Sequence, residues 1–298
     1  MTYSIIARDP DSGHMGVATQ SQAFAVGSSV SWALPGHGVI ATQSMGEPMY
    51  GELGLDVLRS GLTAEEALTA LRSVDPHPER RQVGMVDGRG RSAVYTGEAC
   101  VTAAGHARGD GCIALANMMA EDGVWDAMIA AYEDAAGSWF PSRLVAALEA
   151  AEEHGGDVRG RRSAAIEVVR AEASGRPWHD RLVDLRVDDD PEPVERLAGM
   201  VAYSARYHQV VEAFELALDG DAQTALRHLD GIDIDVETEP ELALWQAVVL
   251  ARAGRTSDAH TIGSRLREVA PALTAAGQRF GEAALVDTAL MATILDGE

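Results

Sequence analysis

Short, mostly apolar segments bounded by turn-forming residues recur over the first 190 residues, and longer stretches with apolar residues at helical spacing separate them. The short segments are typical of strands, and the longer stretches are typical of amphipathic helices. Strands are predicted at 3–7, 15–22, 28–32, 38–43, 81–86, 91–96, 112–117, 163–170 and 181–187. Helices are predicted at 47–59, 63–72, 124–135 and 140–152.

The order of these segments is strands, two helices, strands, two helices and strands. Turn-forming residues at 9–13 and 87–90 join neighbouring strands into hairpins. Sheets made of such hairpins bury their outer faces under the paired helices. The sequence therefore predicts an α+β domain over residues 1–200, built as a four-layer αββα sandwich.

The chain is helical in pattern from about Pro191 onward, and this part contains an internal repeat of 34 residues. The matching positions are Leu216-Ala217 with Leu250-Ala251, Gly220 with Gly254, and Ala225 with Ala259. A helix-turn-helix period of 34 residues is the tetratricopeptide signature. It predicts a small all-α, tetratricopeptide-like domain over residues 201–298. Two repeats bury little surface alone, so we expect them to pack on the first domain or in a homo-oligomer.

Composition narrows the classes of partner. The 298 residues carry a formal net charge of -22, and all 24 basic residues are arginines. Nucleic acids and anionic membranes need clustered positive charge, so neither is expected as the main partner. No stretch reaches the roughly 20 apolar residues of a membrane span, and the N-terminus lacks the pattern of a signal peptide. We expect a cytoplasmic protein.

Spacing of histidine and cysteine predicts no metal site. Cys100 and Cys112 do not show the spacing of metal ligands, and the nine histidines are scattered along the chain. The glycine-rich segment Gly105–Gly111 lacks the phosphate-loop pattern and the lysine that this pattern requires. No metal ion and no cofactor is therefore predicted, and the two cysteines are expected to be buried.

Several short motifs occur in the order found in one bacterial and archaeal family. They are Thr2–Pro10, Gly38–Gln43, Arg81–Asp87, Ala104–His106, Ala116–Ala120, Gly155–Arg161 and Asp184–Asp189. Together, over about residues 1–200, they resemble the family called domain of unknown function 1028. The resemblance implies an N-terminal-nucleophile-hydrolase-like fold, akin to proteasome subunits. It implies no particular substrate.

Thr2 is the candidate nucleophile that this fold implies. An N-terminal nucleophile enzyme attacks with the hydroxyl or thiol of its first residue, and the α-amine of that residue is the general base. An α-amine suits this role because its pKa is about 7.7–8.0. Met1 is removed from a chain when the next residue is small, and Thr2 meets this condition. Thr2 would then be the first residue, with a free α-amine. The implied activity is hydrolysis of a small amide or peptide-like substrate; the alternative is that Thr2 merely begins a strand.

Four further residues are candidates for the catalytic machinery. Ser4 shares a strand face with Thr2 and would orient the nucleophile or the substrate. The backbone N–H groups of Gln43 and Ser44, at a strand end before a helix start, would form an oxyanion hole. Asn117 ends another strand and would donate to the same oxyanion. The alternatives are that Ser4 is a hydroxyl at the edge of the core and that Asn117 only ends a strand.

Four residues are candidates for substrate binding. His106 follows Ala104 and Gly105 in a predicted loop and would contact substrate or transfer a proton. Arg81 would bind a substrate carboxylate in a bidentate manner. Asp157 and Arg159 lie in a glycine-rich turn. The alternatives are that His106 is an ordinary loop residue and that Arg81 only closes the sheet. Asp157 and Arg159 would then form an ion pair that fixes the turn.

A different class of function is open as well. The first domain would then be a non-catalytic binding or scaffold protein, and the helical repeat would recruit a protein partner. Tetratricopeptide-like grooves bind extended segments, although two repeats make only a short groove. Replacement of Thr2 separates this alternative from the hydrolase.

Overall fold

The computed structural model describes residues 2–283 and 285–297. The chain divides between Ala202 and Tyr203 into two compact units. Met1, whose removal the nucleophile hypothesis requires, lies outside the described residues.

The larger sheet of the first unit has six antiparallel strands in the order β10-β9-β2-β1-β8-β7. Their bounds are β1 Thr2–Arg8, β2 Met15–Ser21, β7 Gly105–Gly109, β8 Cys112–Asn117, β9 Ser163–Val169 and β10 Arg181–Val187. Strand β1 lies in the interior of this sheet, and its partners are β2 and β8. Every residue of β1 except Arg8 is therefore buried.

The smaller sheet has four antiparallel strands in the order β3-β4-β5-β6. Their bounds are β3 Ser31–Leu34, β4 Gly38–Ser44, β5 Arg81–Asp87 and β6 Ser92–Thr96. The two sheets stack, and β1 contacts both β4 and β5. Side chains from facing strands, among them Ile6, Val17, Val39 and Leu115, form an apolar core between the sheets.

Two pairs of helices pack on the sheets. Helices α1 Met49–Arg59 and α2 Ala64–Val74 pack on the smaller sheet, and helices α3 Val124–Asp134 and α4 Phe140–Glu153 pack on the larger one. Each pair buries its apolar stripe in a separate core. Helix α2 begins with a capping box formed by Thr63 and Glu66, as its sequence indicates. A short helix, α5 Pro177–Asp180, precedes β10.

The mixed α/β character and the two antiparallel sheets agree with the prediction, but two local elements differ. The strand predicted at 28–32 was wrong in part: Val26–Ser28 form a 3-10 turn, and β3 begins only at Ser31. The Val30 N–H donates to the Val26 carbonyl, so the chain turns before it extends. The segment Gly105–Gly111, expected to be a loop, contains edge strand β7, which pairs with β8.

The remaining helices are α6 Pro193–Leu218, α7 Ala222–His228, α8 Pro240–Arg252, α9 Thr256–Val269, α10 Pro271–Glu282 and α11 Thr288–Leu295. In the second unit, Gly220 and Gly254 each follow a helix with positive φ, at 95° and 82°. The repeat positions Ala225 and Ala259 are both fully buried. Among the helices of the described residues, none combines the length and apolarity needed to cross a bilayer.

Candidate active site

The candidate catalytic residues gather at one end of the two stacked sheets. Strand β1 begins at Thr2, and its antiparallel neighbours β2 and β8 end beside it, so that Thr2 lies opposite Asn117. In the smaller sheet, β4 ends and β5 begins at the same level, where Gln43 pairs with Gln82. The site is therefore made of strand ends from both sheets.

Thr2 is fixed through both its side chain and its backbone. It is 5% exposed, and its Oγ1 lies 3.2 Å from the Ser21 Oγ as a hydrogen-bond donor. Its carbonyl oxygen accepts from the Gln43 Nε2 at 3.0 Å and from the Asn117 Nδ2 at 3.3 Å. One donor comes from each sheet, so the position of Thr2 depends on both.

Three amide side chains form a buried network around this carbonyl. The Gln82 Oε1 accepts from the Gln43 Nε2 at 2.8 Å and from the Asn117 Nδ2 at 2.9 Å. The Gln43 Oε1 accepts from the Ser4 hydroxyl at 2.6 Å. Because both Asn117 amide hydrogens have internal acceptors, Asn117 orients the Thr2 backbone in this arrangement.

The strand ends beside the network carry backbone strain. Ser44 and Met118, which directly follow Gln43 and Asn117, have φ values of 72° and 59°. Residues other than glycine rarely adopt this left-handed region, and such strain concentrates at functional sites. The backbone amides at Gln43 and Ser44 do not lie at a helix start as expected, because four residues separate Ser44 from α1.

Arg81 has an internal carboxylate partner. Its Nε and Nη2 donate to Asp75 at 2.9 and 3.2 Å, and its Nη1 donates to the Met45 carbonyl at 2.6 Å. Hydrogen bonding from Arg81 lowers the pKa of Asp75 to about 2. The same contact raises the pKa of Arg81. The bidentate geometry predicted for a substrate carboxylate is thus occupied by the protein itself.

Asp157 and Arg159 also form an ion pair, at 3.2 Å. The Asp157 carboxylate, which is fully buried, accepts from the Arg159 N–H at 2.8 Å and from the Gln22 N–H at 3.1 Å. These contacts fix the glycine-rich turn against the end of β2.

His106 lies on β7 rather than in a loop, and it lines an open cavity of about 660 Å³ together with Trp125, Glu98 and Asp122. Its Nδ1 is 2.9 Å from the Thr96 Oγ1, which also accepts from the Gln82 Nε2 at 3.0 Å. Burial, and then Arg108, lower the pKa of His106, which favours a neutral imidazole at pH 7. The cavity is therefore joined to the amide network through one hydroxyl.

Three residues of this site were not assigned catalytic roles from the sequence: Ser21, Gln82 and Thr96. Each is a neutral residue at or next to the end of a strand, so only the register across the strands distinguishes it. Within the described residues, no group of three His, Cys, Asp or Glu side chains is arranged to hold a metal ion.

The comparisons agree with the resemblance noted in the sequence. The family model described as "Family of unknown function (DUF1028)" matches residues 2–197, and the chain therefore belongs to this family. A crystal structure of a DUF1028 protein from Silicibacter pomeroyi is similar, with 32% sequence identity and a TM-score of 0.61. The match covers 68% of this chain and 88% of that one. A search of curated proteins found no match.

Proposed function

We propose that the first unit is an N-terminal-nucleophile hydrolase domain of αββα architecture, and that Thr2 is its nucleophile once Met1 is removed. The stacked sheets with a helix pair on each support this architecture. The position of Thr2 at the start of an interior strand supports the role of the hydroxyl.

The observation that carries the proposal is the fixing of Thr2 from both sheets. Its carbonyl accepts from Gln43 and Asn117, and its Oγ1 contacts the Ser21 hydroxyl. A nucleophile gains from such pre-organisation because its approach to the substrate depends on ångström-level placement. Gln43 and Asn117 then act as positioning residues because both donate to the Thr2 carbonyl. Ser4 supports them by donating to the Gln43 side chain.

The proposed reaction follows from a free α-amine on Thr2. The Thr2 hydroxyl gives its proton to this amine and attacks the carbonyl carbon of the amide. The C–N bond then breaks, and the leaving nitrogen takes the proton back from the ammonium group. Water hydrolyses the resulting Thr2 ester, which releases a carboxylic acid and restores the hydroxyl.

The substrate class is a small amide or peptide-like molecule. The cavity beside His106 is of the size that small-molecule sites have. Its link to the amide network through Thr96 and Gln82 supports a role in binding the part of the substrate next to the scissile bond.

The test begins with the intact mass of the purified protein, which reports whether Met1 is removed. Processed protein is then treated with a β-lactone, which acylates a reactive hydroxyl, and the adduct is mapped by peptide mass spectrometry. We expect an adduct on Thr2 and turnover of members of an amide library, both lost in Thr2→Ala. The matched control is Thr69→Ala, which removes an exposed hydroxyl from α2.

One observation favours the non-catalytic alternative. Every amide hydrogen of Gln43 and Asn117 has an internal acceptor, so the network is complete without a ligand. In that case the first unit is a non-catalytic scaffold that forms homo-oligomer contacts, and the tetratricopeptide-like second unit recruits a partner. Thr2→Ala then leaves binding and assembly unchanged. A retained Met1 together with no β-lactone adduct would rule out the hydrolase and leave this alternative.

A further inference from the structure

A second cavity lies at the opposite end of the strands from Thr2. It is open and measures about 680 Å³, and it is lined by the β1–β2 turn and by the segment that follows β9. Strand β1 runs from Thr2 to Arg8, so the two ends are about 20 Å apart along the strand. This cavity is therefore separate from the proposed active site.

Nitrogen-bearing side chains dominate the lining of this cavity. Arg170, Arg176, His14 and His179 contribute to it, and Glu172 is the one carboxylate among its lining residues. The whole chain carries a net charge of -22. Exposed charges are screened over about 8 Å at physiological ionic strength, so these nearby groups weigh more inside the cavity than the net charge of the whole chain. The nearby carboxylates of Asp9, which acts on His14, and Asp180, which accepts from the Ser174 N–H, offset part of this positive charge.

Arg170 is fixed by its backbone, while part of its guanidinium remains available. Its N–H donates to the Asp180 carbonyl at 2.9 Å, and its own carbonyl accepts from the Gly36 N–H at 3.1 Å. Its Nε donates to the His179 carbonyl at 3.0 Å. Its two Nη groups, and the whole Arg176 guanidinium, have no hydrogen-bond or ion-pair partner among the residues that the structure describes.

His14 adds a directed donor. Its Nδ1 lies 3.4 Å from the Ala171 N–H and accepts from it, which places the proton of the neutral ring on Nε2. Burial, and then Arg170, lower the pKa of His14. An anion in the cavity would offset the Arg170 charge.

We propose that this cavity binds the phosphate group of a small phosphorylated molecule. Two arginines and two histidines offer more N–H donors than the two oxygens of a carboxylate can accept, whereas a phosphate group presents three or four oxygens. The cavity exceeds the size of a bare phosphate ion, which leaves room for an organic remainder. A nucleic acid or an anionic membrane would also contact surface beyond this cluster, on a chain whose net charge is -22.

The test is isothermal titration calorimetry of the full chain at pH 7 and physiological ionic strength. The probes are inorganic phosphate, glycerol 3-phosphate and acetate, and the variant is Arg170→Gln combined with Arg176→Gln. The matched control is Arg252→Gln combined with Arg279→Gln, which removes two exposed charges from the second unit. Circular dichroism and thermal unfolding confirm that both variants are folded.

We expect both phosphates to bind the native chain, glycerol 3-phosphate more tightly, and acetate to bind at least tenfold more weakly. The Arg170/Arg176 variant should lose at least about tenfold in affinity, because charge-assisted hydrogen bonds disappear, and the control should change less than about twofold. Absence of phosphate binding, equal affinity in the Arg170/Arg176 variant, or equal affinity for acetate would overturn the proposal. Binding of free phosphate but not of glycerol 3-phosphate would overturn the claim that the ligand carries an organic part.

Discussion

Replacement of Asp75 by asparagine tests a buried ion pair of the first unit. The Asp75 side chain is 1% exposed and accepts from Arg81 at 2.9 and 3.2 Å. It also accepts from the Tyr50 hydroxyl at 3.0 Å and from the His77 N–H at 2.9 Å. Asparagine keeps the shape of the side chain but removes its charge, so Arg81 loses its bidentate carboxylate.

The magnitude follows from the pKa of Asp75 and from what remains of its partner. A pKa of about 2, against 3.8 for a free aspartate side chain, corresponds to about 2 kcal/mol of stability at pH 7. The variant also leaves the Arg81 guanidinium buried, with Glu47 4.0 Å away as its nearest carboxylate. Removing one partner of a buried pair costs about 3–5 kcal/mol. We expect a loss within that range at neutral pH.

The pH dependence has a definite sign. Because the pKa of Asp75 is lower in the folded state, its contribution is fully present above the unfolded pKa, near pH 4. It is lost as pH falls through the folded pKa, near pH 2. The difference in unfolding free energy between the native chain and Asp75→Asn should stay constant from pH 7 to 5. It should then narrow by about 2 kcal/mol between pH 4 and 2.

The assay is urea unfolding at several pH values, monitored by hydrogen exchange in peptides from β4 and β5. These peptides report the unfolding of the first unit alone, which is needed because a chain of two units does not unfold in one step. The control is Asp56→Asn, because Asp56 is 54% exposed and pairs with Arg59 on the surface of α1. It should cost less than about 1 kcal/mol at pH 7. The reasoning would be refuted if Asp75→Asn lowered the unfolding free energy by no more than the control does. It would also be refuted if this loss did not change with pH.

Two further predictions concern packing and capping. In Gly51→Ala, the added Cβ would lie 2.2 Å from the Trp32 ring, so overpacking of about 1–3 kcal/mol should outweigh the gain in helix propensity. Gly199→Ala, with open space around its Cβ, should be neutral or stabilising; urea unfolding that ranks the two in the opposite order would contradict this prediction. Thr63→Ala removes the hydroxyl that accepts from the Glu66 N–H and should cost about 1 kcal/mol, whereas Thr63→Ser should retain the cap. Equal thermal unfolding temperatures for the two Thr63 variants would argue against the cap.

The fold was predictable where one element carries its own signal. The turn at 9–13 and the short, mostly apolar segments on either side of it predicted β1 and β2, which are buried on both faces. Strand β7 was missed because its residues, Gly105–Gly109, include two glycines and no β-branched side chain. Its hydrogen bonds come from pairing with β8, which a local pattern does not contain.

The candidate site was predictable only in part, because its contacts join distant positions. Thr2 lies 41 residues from Gln43 and 115 from Asn117 in the chain. The sequence placed each of them at a strand end, but the stacking of the two sheets decides that their amides meet at one carbonyl. Asp75 was not singled out, since nothing in its neighbourhood predicts a bidentate contact with Arg81.

The amide network is itself an argument for function at this end of the sheets. A sandwich core needs only apolar side chains, and a buried amide is costly unless all its hydrogen bonds are made. Three amides are nevertheless buried here, and positive φ values at Ser44 and Met118 add about 1–3 kcal/mol of strain each. What this arrangement achieves locally is a fixed Thr2 carbonyl, with donors from both sheets. Stability alone does not require that, whereas the proposed nucleophile at Thr2 would benefit from such a fixed position.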